Sequence, residues 1–177
     1  QRYVDGREVN VGIVGDTVLP VSEIDFGGLP KGMWRIVSYR SKWETGSDED
    51  AGTAPRCPAE LPPALEAEVR HLALEAWRLV GGTGYGRVDF RIDAEGRPWI
   101  LEVNPNPDIA PDAGLARMAK AAGMSYARLI RTVTQLGARR RIEAGDADRL
   151  WALAFRLSGG VDSTEDGDLF DSARQAS

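Results

Sequence analysis

The stretch that most constrains the fold runs from Tyr85 to Asn104. In residues 85–92, Arg87, Asp89 and Arg91 fall on one face, and Val88, Phe90 and Ile92 on the other. A period of two is the signature of a strand with one face in a core and one toward water. Residues 98–104 alternate too, with Trp99, Leu101 and Val103 against Ile100, Glu102 and Asn104. Asp93-Ala94-Glu95-Gly96 between them has the chemistry of a tight turn, and Pro105 and Pro107 end the second strand. The pattern predicts an antiparallel hairpin. Matching the apolar faces makes paired residue numbers sum to an odd value, which gathers Arg87, Asp89, Glu102 and Asn104 on the polar face. A bulge in either strand would break that parity.

Facing Cβ atoms on adjacent strands lie about 4.5–5.5 Å apart, so Asp89, Glu102 and Asn104 can converge on one or two ions. Oxygen donors without His or Cys select Mg2+ or Mn2+, and Mg2+ held by few carboxylates completes its shell with water and phosphates. Arg87 adds a fixed positive charge suited to an oxyanion or a transferring phosphoryl group. On composition alone, the same face also reads as a solvated surface with a cross-strand Arg–Glu pair.

The rest of the chain supplies a core. Val9, Val11 and Ile13 alternate with Asn10 and Gly12, Gly15-Asp16 punctuates, and Val18–Val21 and Ile24 follow, which predicts a first hairpin. Residues 26–60 read as irregular, with a short strand over Trp34–Tyr39 and a mobile loop after it. Leu65, Val69, Leu72, Leu74, Ala76, Leu79 and Val80 form an apolar stripe near a period of 3.6, predicting a helix over 62–80 stopped by Gly81-Gly82. Further helices are expected over 112–122, 125–137 and 146–157, with Arg139–Arg141 at an exposed helix end. The fold class is α+β, an antiparallel sheet backed by helices. Residues 1–138 form one lobe, and 139–177 a helical C-terminal extension with a flexible acidic tail.

Composition narrows the function classes. The 177 residues carry 22 Lys and Arg against 27 Asp and Glu, a net charge of −5, which gives no attractive field for nucleic acid. No apolar run is long enough to span a bilayer, and a single cysteine, Cys57, fits a reducing, cytoplasmic setting. The lone His71 excludes a multi-histidine metal site. Ser158–Ser163 matches the pyrophosphate loop of N-type ATP pyrophosphatases, but acidic residues 164–168 follow where a phosphate-binding helix is needed. The glycine run Gly81–Gly86 follows a helix and enters a strand, the reverse of a dinucleotide fingerprint.

Order and context favour the metal-site reading. Gly-Tyr-Gly-Arg-Val-Asp-Phe at 84–90, Asp93, Gly96 and Leu-Glu-Val-Asn-Pro-Asn-Pro at 101–107 resemble the C-terminal lobe of the ATP-grasp family, in its D-alanine–D-alanine ligase branch. The resemblance extends through Ala122-Gly123 and Ser125-Tyr126 and back through Cys57-Pro58-Ala59, covering roughly residues 1–136. It implies Asp89, Glu102 and Asn104 as Mg2+ (or Mn2+) ligands and Arg87 as the group stabilising an acyl phosphate and tetrahedral intermediate. It implies Lys42 as a phosphate-loop lysine, Glu8 as the ribose acid, the backbone of Arg2, Tyr3 and Val4 as the adenine contact, and Leu101 as an apolar floor under the base.

Two departures touch the substrate side. Trp43 stands where the family has a tyrosine. In the run Pro105–Gly114, which also holds Asn106, Asp108 takes the place of a glycine and Ala113 that of a serine. Trp43, Asn106 and Asp108 are therefore the substrate candidates, and the departures point to a different amino-acid or carboxylate substrate and a product other than the usual dipeptide. The implied activity is a Mg-ATP-dependent carboxylate–amine ligase, taking small carboxylate or amino-acid substrates and forming an amide through an acyl phosphate. The family's N-terminal α/β domain and central lobe have no counterpart here, so the expectation is part of an enzyme, completed by those domains or a partner chain. The alternative is a non-catalytic or regulatory lobe acting with a partner.

Overall fold

A computed structural model describes residues 3–37, 44, 46, 47 and 51–143, the last three by backbone alone. The chain divides into two units, Gln1–Gly137 and Ala138–Ser177. The predicted helix over 146–157 and the Ser158–Ser163 loop lie outside the described residues, as do Arg2, Lys42 and Trp43.

The first unit is an antiparallel sheet with helices, α+β as expected. Its strands are β1 (Arg7–Val14), β2 (Thr17–Val18), β3 (Ser22–Asp25), β4 (Ala54–Arg56), β5 (Tyr85–Ile92) and β6 (Pro98–Asn104). They run in the order β4-β3-β1-β5-β6, with β2 paired to β1. The first hairpin turns at Gly15-Asp16, where Gly15 takes φ +60°, a value open to glycine without strain. No strand forms over 34–37, and Ser38 and Tyr39 lie outside the described residues. The predicted Trp34–Tyr39 strand is thus corrected over its described part. Pro30, Gly32 at φ +90° and the absence of a period-two pattern there favour turns instead.

Among the described residues three helices follow: α1 (Pro63–Leu79), α2 (Gly114–Ala121) and α3 (Tyr126–Glu143). Pro62 caps α1 by backbone geometry, and Gly81 at φ +69° ends it, its amide donating to the Arg78 carbonyl. Val69, Ala73, Ala76 and Trp77 face the sheet, whereas Leu79 and Val80, counted in the predicted stripe, are exposed. The helix is already ending at those two positions, so the stripe has no sheet left to cover. The third helix runs past its expected end, carrying the exposed Arg139 and Arg140 within it.

The sheet has two unlike faces. Val9, Val11 and Ile13 of β1 and Val88, Phe90 and Ile92 of β5 are buried and pack with α1 in one core cluster. The opposite face is split along its length. At one end Val14, Leu19, Leu115, Met118 and Leu129 form a second cluster. Gly12 makes that possible, since a Cβ there would meet Leu115 Cδ1 at 2.7 Å. At the other end the face stays polar and lines a cavity.

Trp77 has its own seat. A Cβ on Gly82 would come within 2.1 Å of its ring, and one on Gly86 within 2.4 Å. The glycine run therefore does more than stop a helix: it leaves room for an indole against the chain. Gly86→Ala should destabilise the chain by about 1–3 kcal/mol through overpacking, read as a lower urea midpoint at unchanged slope. A midpoint equal to wild type would refute this seat.

Candidate functional site

The polar end of the sheet is built in cross-strand rows. Asn10 of β1, Asp89 of β5 and Glu102 of β6 form one row; Gly12, Arg87 and Asn104 form the next. Asp89 faces Glu102 and Arg87 faces Asn104, the odd-sum pairing expected from the apolar pattern. A bulge then shifts the register, so that Phe90 faces Ile100 and Arg91 faces Trp99. Leu101 is the extra residue.

The bulge corrects the expected faces. Trp99 lies across from Arg91 rather than among the core residues, and Ile100 moves to the Phe90 side; both are half-exposed. It also lets Leu101 and Glu102 line the same cavity, which strict alternation forbids. The turn at Asp93 anchors the shifted end. Asp93 accepts hydrogen bonds from the Glu95 and Arg97 amides, from Arg97 Nε at 2.9 Å and from Trp99 Nε1 at 2.9 Å.

A cavity of about 520 Å3 opens over the rows. Its walls bring together Tyr3, Val4, Glu8, Arg87, Asp89 and Leu101. Glu102 and Asn104 line it as well, and the remaining wall includes Ile24, Ile36 and Val37. Asn106 and Asp108 are exposed and do not line it. Asn106 Oδ1 accepts from the Tyr85 hydroxyl at 2.9 Å, and Asp108 Oδ1 accepts from the Ala110 amide at 2.8 Å. Ala113 is the N-cap of α2 and makes no side-chain cap hydrogen bond. A larger cleft of about 650 Å3 shares the wall of Tyr3, Val4 and Leu101. Its Asp93, Glu95 and Arg97 are paired with one another within the turn.

Asp89 is the most tightly held of the oxygen donors. Arg87 donates through Nε at 2.7 Å to Oδ1 and through Nη2 at 2.8 Å to Oδ2, and Asn10 Nδ2 donates to Oδ1 at 2.9 Å. A carboxylate accepts about four such bonds, so a further cation can still share it. Burial works against the Arg87 charge, but the Asp89 hydrogen bond and the fields of Asp89, Glu102 and Glu8 outweigh it and hold its pKa above the usual value. Arg87 is thus a permanent cation beside the donors. Asn104 Oδ1 accepts from the Asn106 amide at 2.9 Å, while the exposed Glu102 carboxylate lies across from Asp89. Burial pushes the Cys57 thiol pKa up, which suits a packed thiol and not a nucleophile.

Two residues of this site escape a reading of local pattern. Asn10 enters only because β1 pairs with β5, a contact 79 residues apart in sequence. Arg91 shares the face of Arg87 and Asp89, yet it is 2% exposed. The first signal is non-local. The second was present as alternation, but alternation does not tell a solvated arginine from a covered one.

A model of the D-ala D-ala ligase C-terminus family matches residues 1–135. The chain belongs to that family. It is 41% identical over 133 residues to a D-alanine–D-alanine ligase of Bordetella petrii, covering 73% of this chain and 37% of the relative. A D-alanine–D-alanine ligase of Dechloromonas aromatica is 38% identical over 138 residues, covering 78% and 42%. Among solved structures, a D-alanine–D-alanine ligase from Bacillus anthracis complexed with ATP aligns with a TM-score of 0.62 and 24% identity, covering 80% of this chain and 41% of that one. The chain thus spans about two fifths of the relatives it matches. No helix among the described residues is long and apolar enough to cross a membrane.

The Asp93 turn gives a pH test. Hydrogen bonds from Trp99 and Arg97 hold its pKa down to about 2, against 3.8 unperturbed. A lowered carboxylate pKa stabilises the fold above the unfolded value, and that contribution is lost as pH falls through the folded one. Carbon-13 NMR titration should show Asp93 ionised down to about pH 2, and Asp93→Asn should flatten the stability loss between pH 4 and 2. A midpoint near 3.8 would show the turn is not formed as described.

Proposed function

We propose that this chain is the nucleotide- and metal-binding lobe of an ATP-dependent ligase joining a carboxylate to an amine. The observation that carries the reading is the set of Asp89, Glu102 and Asn104 beside Arg87 on one cavity wall. Membership of a ligase family supports it, as does the ATP in the Bacillus anthracis structure of the same fold.

In this reading the substrate carboxylate attacks the γ-phosphate of ATP, giving an acyl phosphate and ADP. The amine then attacks the acyl carbon, an amide forms and phosphate leaves. The donor set, two carboxylates and an amide oxygen on facing strands, fits a hard divalent ion such as Mg2+ or Mn2+. Asp89, Glu102 and Asn104 would hold it, and the ion, when bound, neutralises phosphate charge. Arg87 meets the negative charge that grows at the reacting centre. Glu8 and the backbone of Tyr3 and Val4, with Leu101, would take the ribose and base; the family resemblance assigns Arg2 to that contact and Lys42 to the phosphates.

Trp43, Asn106 and Asp108 are the substrate-side residues, the last two outside the nucleotide cavity. With Asp108 and Ala113 in place of glycine and serine, the substrate differs from the dipeptide precursors of the relatives. The enzyme's remaining domains, on this chain's protein or a partner, complete the clamp on ATP.

Glu102→Gln should abolish Mg-ATP binding and activity of the complete enzyme while leaving stability within about 0.5 kcal/mol, because the side chain is exposed. Asp89→Asn should abolish both and also cost about 1–3 kcal/mol, since it removes the charge facing the partly buried Arg87. Calorimetric titration with Mg-ATP checks binding, and denaturant melts check stability. ADP and phosphate are the expected products; AMP and pyrophosphate, or retained activity in Glu102→Gln, would overturn the assignment.

A further inference from the structure

We propose that Arg91 is a positioning residue that fixes the shape of the cavity end opposite Arg87, where the base of the nucleotide would lie; this rests on reading the cavity as a nucleotide site. Arg91 is two residues from Asp89 on β5, on the side away from Arg87. At about 3.3 Å per residue the two arginines stand roughly 13 Å apart along the strand. Arg87 bonds to Asp89, within its own strand. Arg91 bonds almost wholly to chain segments that come from elsewhere.

Its Nε donates to the Val4 carbonyl at 3.0 Å, its Nη2 to the Tyr3 hydroxyl at 3.2 Å and to the Arg35 carbonyl, and its Nη1 to Glu8 at 3.4 Å. The guanidinium also lies over the rings of Tyr3, at 5.3 Å, and Phe26, at 5.7 Å. Trp34 stacks edge-on against Tyr3 with centroids 4.8 Å apart. One side chain therefore joins the segment around Tyr3 and the segment around Arg35 to the sheet. Tyr3, Val4, Ile36 and Val37 of these segments line the cavity.

Packing alone does not account for this choice. An apolar side chain of similar volume fills a covered site without the desolvation cost of a charge. Only a planar fork of donors can bridge two carbonyls and a phenol at once, and a lysine ammonium, as a point charge, cannot span them. The donors are spent on segments that form the cavity wall, so their loss should loosen that wall and leave the metal donors in place.

The test compares wild type, Arg91→Lys and Arg91→Met, with hydrogen exchange read in the full 177-residue chain and ligand affinity in the complete enzyme. Hydrogen exchange read by mass spectrometry should speed by about ten-fold or more in peptides covering residues 3–6 and 33–37, the scale of losing charge-assisted hydrogen bonds. Residues 88–90 should be unchanged. Affinity for Mg-ATP should fall about ten-fold on the same scale, while affinity for Mg-tripolyphosphate, which has no base, should stay at the wild-type value. A purely structural role would lower both affinities together. Unchanged exchange in both segments, or equal losses for ATP and tripolyphosphate, would overturn the proposal. If Arg91→Met fails to fold, Arg91→Lys carries the comparison. If wild type binds neither ligand, the nucleotide reading fails, and exchange alone decides whether Arg91 holds the two segments.

Discussion

Eight consecutive antiparallel pairs between β1 and β5 hold the molecule in register. They set Asn10 opposite Asp89 and Glu8 opposite Arg91, and place Val9, Val11 and Ile13 among Val88, Phe90 and Ile92. A slip by one residue would send three valine and isoleucine side chains into the polar cavity and the charges into the core under α1. The hydrophobic face thus fixes the position of the charged one. The energy that aligns the site comes from the side of the sheet that has no chemistry on it.

The polar face solves a conflict of its own. It sets two acids, Asp89 and Glu102, across from each other beside buried apolar strands and must still be stable. Arg87 answers this by bonding both oxygens of Asp89, with Asn10 sharing the load. Gly12, opposite Arg87, lets Leu115 and Met118 close one flank of the face, so the polar rows meet an apolar boundary there. Arg91 closes the other flank through its bonds to Val4 and Arg35.

Much of this was legible in the sequence, for a physical reason. Alternation over 85–92 and 98–104 reports local backbone geometry and burial together, and it placed Arg87, Asp89, Glu102 and Asn104 on one face. The same signal failed from Leu101 to Trp99, because a single extra residue inverts every later side chain and leaves no mark in composition. It failed at Trp34–Val37, where apolar residues serve a loop against Tyr3 rather than a strand. Leu79 and Val80 kept the helical period but sit beyond the sheet's cover. Asn10 and Arg91 depend on which distant segments fold over them, and the resemblance to a ligase lobe supplied motifs but not those local contacts.

The Leu101 bulge separates two properties that strands ordinarily lock together. In a regular ladder, changing what a strand shows to a cavity means replacing one of the alternating side chains already there. Here an apolar surface has been added between Ile100 and Glu102 without displacing the carboxylate from its place across from Asp89. Exchanging the side chain at this one position therefore retunes the greasy part of the pocket while the acidic part keeps its alignment.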